Sequence, residues 1–229
     1  MGLPHTLRGM LFDLDGTLLD TAGDLIAACN AAAREAGLEP AAAAELRPRI
    51  SGGAGAMLTR ILELQTPPAT RCNRSLLLER MLELYQANIA VHTRLFAGMD
   101  RVLAELEARA IPWGIVTNKL ERFTGPLLRQ LNVGLRPVCV ISGDTLPERK
   151  PHPLPMLEAS RQLGCAPEHC AYLGDARGDI EAGRRAGMTT LAASYGYVDR
   201  DDPAETWGAD AVIGHPLKLL DCLSGGDCR

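Results

Sequence analysis

Leu11-Phe12-Asp13-Leu14-Asp15-Gly16-Thr17-Leu18-Leu19-Asp20 places two carboxylates two residues apart, where an apolar run gives way to glycine. Successive side chains of an extended segment alternate between faces, so residues i and i+2 share one. Asp13 and Asp15 therefore converge on one point at a strand end, and Gly16 permits the sharp turn that follows. Taken alone, the same letters also read as an acidic strand-to-helix turn with Asp20 or Thr21 as an N-cap. The rest of the chain decides between the two.

Short β-type runs recur at residues 10–12, 113–116, 138–141, 171–173, 189–192 and 211–213, each ahead of turn residues. Between them, residues 99–110, 122–131, 155–164 and 179–186 carry apolar side chains at helical spacing, with Gly164 and Gly187 as C-terminal stops. Strands that alternate with helices pair in parallel through right-handed crossovers. The pattern predicts an α/β core, a three-layer, doubly wound, Rossmann-like parallel sheet whose ligands sit beyond the carboxyl ends of the strands. One interval breaks the alternation. Residues 21–95 show no convincing strand but carry helical stripes at 25–36, 54–64 and 76–90, with a proline-containing loop at 66–74. The expected organisation is a core of residues 1–20 and 96–229 interrupted by a helical insertion, residues 21–95.

A chain of 229 residues with 46% hydrophobic content is long and apolar enough for a full core. A net charge of -4, with no run of lysine or arginine, argues against a nucleic-acid partner. No apolar stretch approaches the roughly 18 residues of a membrane span, and residues 1–9 hold no apolar signal core. Seven scattered cysteines, without a C-x-x-C pair, read as reduced thiols. The expectation is a cytoplasmic protein without a membrane partner, either monomer or homodimer, whose tail at 224–229 has too few apolar residues to order itself.

Four strand ends carry candidate chemistry: Asp13 and Asp15, Thr117 and Asn118, Lys150-Pro151, and Gly174-Asp175 followed by Asp179. Each alone also reads as a turn or a helix cap, or, for Lys150, as one more solvated lysine. Together they fall at consecutive strand ends of one sheet, which capping does not explain. The set Phe12-Asp13-Leu14-Asp15-Gly16-Thr17, Val116-Thr117-Asn118, Lys150-Pro151-His152-Pro153 and Gly174-Asp175-Ala176-Arg177-Gly178-Asp179 resembles the haloacid dehalogenase superfamily, on its phosphatase branch. The resemblance spans nearly the whole chain, and the insertion falls where that family carries its type 1 cap.

Phosphate monoester cleavage needs a nucleophile, a proton donor for the leaving oxygen and positive charge around the phosphoryl group. Asp13 fits the nucleophile, forming an aspartyl phosphate, and Asp15 the acid that protonates the leaving alkoxide and then activates water. Neighbouring carboxylates repel unless compensated, so a hard cation, Mg²⁺, is expected between Asp13, Asp175 and the phosphate. The resemblance implies the Asp15 backbone carbonyl as a further ligand, with Asp179 holding the site directly or from behind. Lys150, the Thr117 hydroxyl and Asn118 complete the phosphate-binding and catalytic set, and the Lys150–Pro151 bond is a candidate for the cis form.

Within the insertion, Arg49-Ile50-Ser51-Gly52-Gly53-Ala54-Gly55 is either a glycine-rich anion-binding turn before a helix or an ordinary loop. His92 and Arg94 stand near the second junction, as hinge or solvated residues. Thr117-Asn118-Lys119, Lys150-Pro151-His152-Pro153 and Tyr195-Gly196-Tyr197 look like bacterial phosphoglycolate phosphatases. Residues 50–54, 90–92, 95–98 and 207–210 look more like N-acetylmuramic acid 6-phosphate phosphatases of cell-wall recycling. Both substrates are small phosphate esters that also bear a carboxylate, which Arg49, Ser51 and the amides at Gly52 and Gly53 suit, and the missing side chains favour the bulky muramic compound. Asp15 argues against a dehalogenase and Leu25, where family mutases carry histidine, against a mutase. A binding module without activity would be expected to have lost at least one of the acids.

Overall fold

The computed structural model describes residues 7–66, 72–131, 133 and 136–224. Six strands, β1 Gly9–Phe12, β4 Trp113–Val116, β5 Cys139–Ile141, β6 Cys170–Gly174, β7 Thr189–Ala193 and β8 Ala211–Ile213, form one sheet in the order β5-β4-β1-β6-β7-β8. Every neighbouring pair is parallel. The expected strands are all present, with ends within one residue of those expected; β5 alone is shorter, starting at Cys139 rather than Val138.

The central strand owes its place to burial on both faces. Met10, Leu11 and Phe12 are 0–2% exposed, each contributing roughly 1.5–3 kcal/mol by leaving water. Phe12 lies opposite both Ile115 and Leu173. A slip of one residue would draw Asp13 into the apolar ladder, so the register that leaves it at the strand end is fixed by the cost of burying its charge there.

Leu11, Val116 and Ile141 pack on one side of the sheet with α7 (Leu154–Leu163) and α8 (Arg177–Arg185), through Met156, Ala159 and Ala182. On the other face Met10, Phe12 and Ile115 meet α5 (Met99–Ala108), α6 (Glu121–Gln130) and α9 (Lys218–Leu223). These are the three layers. Apolar spacing made the helices: Met99, Val102, Leu103 and Leu106 are the buried face of α5. Gly164 ends α7 in the left-handed conformation, at φ 67°, as a C-terminal stop should.

Between β1 and α5 stand α1 (Ala22–Glu35), α2 (Ala43–Leu46), a 3₁₀ helix at Arg47–Gly52, α3 (Gly53–Glu63) and α4 (Arg74–Ala87). Their apolar stripes join the same core, through Leu25, Cys29, Ile61, Leu77 and Tyr85 among others. The absence of strands expected over 21–95 needs one correction. β2 (Leu19–Asp20) and β3 (Arg94–Leu95) pair antiparallel and bring the two junctions of the insertion side by side. A two-residue strand has no periodicity to read, so it was invisible until paired.

Cys29, Cys72, Cys139, Cys165 and Cys170 are free thiols. Cys222 is disulfide-bonded, which corrects the reading of all seven as reduced. Residues 67–71 of the expected loop, 225–229 of the expected tail and residues 1–6 lie outside the described residues. Among the described residues no helix is long and apolar enough to cross a membrane.

Candidate active site

Parallel pairing brings the carboxyl ends of β1, β4 and β6 to one edge, and the four sequence motifs meet there. The Asp13 backbone N–H donates to Leu173 O and that of Thr117 to Ile141 O, continuing the ladder one residue past each strand. Lys150 arrives from the long connection after β5, and its peptide bond to Pro151 is cis. Its ammonium donates to Asp13 Oδ1 at 2.6 Å, the Val116 carbonyl at 2.9 Å and the Tyr172 hydroxyl at 2.7 Å. It also pairs with Asp179 Oδ1 at 2.7 Å. Asn118 Nδ2 holds the Lys150 carbonyl at 3.0 Å, and the Thr117 hydroxyl accepts from the Lys119 N–H. Asn118 therefore steadies the lysine, while Thr117 is buried beside it.

Asp13, Asp175 and Asp179 are buried and offer carboxylate oxygens that all lie within 4.8 Å of one another. Burial pushes the Asp13 carboxyl up to about 7, with Asp179 and Asp15 adding to the rise and Lys150 opposing it. Burial, then Asp13 and Asp179, hold Asp175 well above the usual carboxylate range. Burial works against the Lys150 charge, but Asp13 and Asp179 keep its pKa above that of a free lysine. Three acids thus face one cation. Hard oxygen donors with an excess of buried negative charge are the donor set a divalent cation relieves.

Asp175 is held from three further directions. Thr17 Oγ1 donates to Oδ1 at 3.2 Å, and the Tyr197 N–H donates to Oδ2 at 2.8 Å. Ser51, from the insertion, donates to the same Oδ2 at 3.2 Å. Gly16 has a positive φ of 85°, and a Cβ there would fall 2.0 Å from Asp175 Oδ2, so the turn after the two aspartates admits glycine alone.

The Asp15 carboxylate does not join the three acids. It accepts from Thr21 Oγ1 at 2.7 Å and from Lys119 Nζ at 2.9 and 3.1 Å. Only its backbone carbonyl is left for the cation role that the resemblance implies. Lys119 was not expected in the site. Its side chain is 7% exposed, and Nζ lies 4.6 Å from the ring centroid of Tyr85 on α4.

Of the four insertion residues expected to face substrate, Ser51 reaches the acids. Arg49 donates instead to Asp199 Oδ2 at 2.6 Å, across the seam between insertion and core. Gly52 and Gly53 are exposed at the start of α3, and nothing lies within 4 Å of a Cβ built on Gly53. Tyr197 ties the site to the first junction: its hydroxyl accepts from the Thr21 and Ala22 N–H groups at 2.6 and 2.9 Å and donates to Asp20 Oδ1 at 2.8 Å. Thr17 and Tyr197 stand in the quoted motifs without a role of their own, and Tyr172 reads as ordinary core, until the fold brings each to an acid or to Lys150.

A family model described as haloacid dehalogenase-like hydrolase matches residues 10–193. A Pseudomonas putida protein named N-acetylmuramic acid 6-phosphate phosphatase is 42% identical, over 97% of this chain and 98% of its own. A Xanthomonas campestris protein named phosphoglycolate phosphatase is 43% identical, over 93% of this chain and 95% of its own. Among solved structures, that of a predicted phosphoglycolate phosphatase from Haemophilus somnus superimposes with a TM-score of 0.85 at 25% identity, covering 95% of this chain and 98% of that one.

Proposed function

The chain belongs to the haloacid dehalogenase-like hydrolases, as a phosphatase, and from that premise we propose that it is a Mg²⁺-dependent phosphomonoester hydrolase working through an aspartyl phosphate. The observation that carries this reading is the environment of Asp13: a buried carboxylate at the sheet edge, 2.6 Å from a buried lysine and facing two more acids. A carboxylate oxygen of Asp13 attacks phosphorus while the bond from phosphorus to the leaving alcohol breaks, and Asp15 gives that oxygen its proton. Water then attacks the same phosphorus, Asp15 takes its proton, and cleavage of the acyl phosphate returns free Asp13 and inorganic phosphate. Lys150 supplies positive charge to the phosphoryl oxygens and orients Asp13, with Thr117 and Asn118 lining the same pocket edge. Asp13, Asp175 and the Asp15 carbonyl, with Asp179, would hold Mg²⁺, which would supply further positive charge to the phosphoryl group.

The insertion, residues 21–95, acts in this reading as a cap over a core of residues 1–20 and 96–229. The favoured substrate is N-acetylmuramic acid 6-phosphate. Its support is the Pseudomonas putida relative, which matches 97% of the chain, and the side-chain-free surface at Gly52 and Gly53 next to Ser51. 2-Phosphoglycolate is the second reading, supported by the Xanthomonas campestris relative and by the buried cation Lys119 beside the proton donor.

Two measurements test the proposal. Asp13→Asn is expected to cut phosphate release on the order of 10⁴-fold or more, and a variant keeping most of its activity would remove the covalent mechanism. Side-by-side kcat/KM values are expected to favour N-acetylmuramic acid 6-phosphate over 2-phosphoglycolate; the opposite ranking transfers the assignment to the second reading.

A further inference from the structure

Both candidate substrates carry a carboxylate, and the arginine expected to receive it is engaged elsewhere. Arg49 pairs with Asp199, and Arg47 pairs with Asp20 and stacks over Tyr197. The Lys150 ammonium already serves Asp13, Asp179, the Val116 carbonyl and the Tyr172 hydroxyl. Lys119 differs from all of these. Its ammonium is buried, meets one charged partner, the Asp15 carboxylate, through two hydrogen bonds, and stands beside the Tyr85 hydroxyl. An ammonium has three protons to give; two serve Asp15, and the third meets a neutral hydroxyl rather than a second charge.

A second, independent feature stands at the same spot. The Tyr85 hydroxyl is buried with the Lys119 ammonium as its polar neighbour, and its own proton has no acceptor among the described residues. Burial raises its pKa to about 12, against the lowering pull of the adjacent Lys119. Leaving a polar group buried and unpaired costs roughly 1–3 kcal/mol, and such a group in a native structure asks for a partner the structure does not hold. Lys119 comes from the core loop after β4 and Tyr85 from α4 of the insertion, so the pair exists only where the two parts meet. A proton donor acts within hydrogen-bond reach of the oxygen it serves, which puts a group attached to the leaving alcohol beside Asp15 and within range of both.

We propose that Lys119 and Tyr85 form the receptor for the carboxylate carried on the alcohol part of the substrate, Lys119 as its counter-ion and the Tyr85 hydroxyl as a second donor. The inference rests on the phosphatase reading and deepens it: the site selects phosphomonoesters by the charge on their leaving group. Arg49 then holds the insertion against the core by way of Asp199 rather than holding substrate.

Two matched pairs of substrates provide the test, since the carboxylate has two possible sources. N-acetylmuramic acid 6-phosphate is compared with N-acetylglucosamine 6-phosphate, the same sugar phosphate without the lactyl carboxylate. 2-Phosphoglycolate is compared with 2-hydroxyethyl phosphate, in which a hydroxymethyl group replaces the carboxylate. The wild-type protein is expected to prefer the carboxylate member of at least one pair, and Lys119→Met to shrink that kcat/KM ratio about ten- to a hundredfold. Tyr85→Phe, which keeps the ring and removes the hydroxyl, moves the ratio several-fold in the same direction. The pair whose ratio collapses identifies where the carboxylate sits. A disturbance of Asp15 alone would depress both members of a pair equally and leave the ratio intact. Ratios unchanged in both variants, or no wild-type preference in either pair, overturn the inference while leaving the phosphatase intact. No phosphate release from any of the four esters overturns the phosphatase reading itself.

Discussion

Gly16 is the residue on which the whole acidic cluster turns. Its positive φ and the 2.0 Å approach of a hypothetical Cβ to Asp175 Oδ2 leave no relaxed position for even a methyl group. Gly16→Ala is therefore expected to displace Asp175, with a loss of at least about 10²-fold in kcat/KM, on the scale that a misplacement near 1 Å costs. Steady-state assay with Mg²⁺ titration checks this, and an alanine variant with unchanged kcat/KM and Mg²⁺ requirement would show that the turn has slack. At this scale the chemistry was legible in the sequence wherever position relative to a strand end determined it: Asp13, Lys150, Asp175 and Asp179 gather as their spacing implied. Lys119 was not legible. A lysine after a turn normally points to water, and its burial depends on Tyr85, contributed by a helix more than thirty residues earlier in the chain.

Among the elements, the two junctions of the insertion matter most. β2 and β3 pair Leu19 with Leu95 and Asp20 with Arg94, and Asp24 on α1 fastens the second junction. Its carboxylate accepts from the His92 and Thr93 N–H groups at 2.9 Å each and from Thr93 Oγ1 at 2.6 Å. Asp24 is 3% exposed, so Asp24→Ala leaves buried donors unpaired and is expected to cost about 2–4 kcal/mol of stability, measured by urea unfolding. A loss below about 0.5 kcal/mol would mean that water replaces the carboxylate freely. This clasp explains why the junction escaped sequence reading. Neither a two-residue strand nor an acid inside a helix carries a local signature, whereas the six core strands announce themselves as apolar runs before turns. The 3₁₀ helix at Arg47–Gly52 was read as part of a glycine-rich turn for the same reason: its shape is set by packing between α2 and α3.

At the level of the whole molecule, the sheet and its two helical layers hold three carboxylates and one lysine in a region that excludes water. A cation binding there stabilises the folded chain by mass action, about 2.7 kcal/mol at a hundred times its dissociation constant. For a chain of this length that corresponds to a rise in Tm of roughly 5–10 °C. Adding Mg²⁺ to EDTA-treated protein is expected to produce that rise and restore phosphatase activity in parallel; a Tm and an activity indifferent to both reagents would count against the metal site. The same crowding of like charge has an evolutionary reading. Without a divalent cation, burial and mutual repulsion disfavour the charged forms of Asp13 and Asp175, with Lys150 offsetting part of the cost. A laboratory selection for heat resistance alone, run without metal, would drift toward asparagine at these positions and enrich robust, inert variants. Acids at these positions serve turnover at the expense of durability.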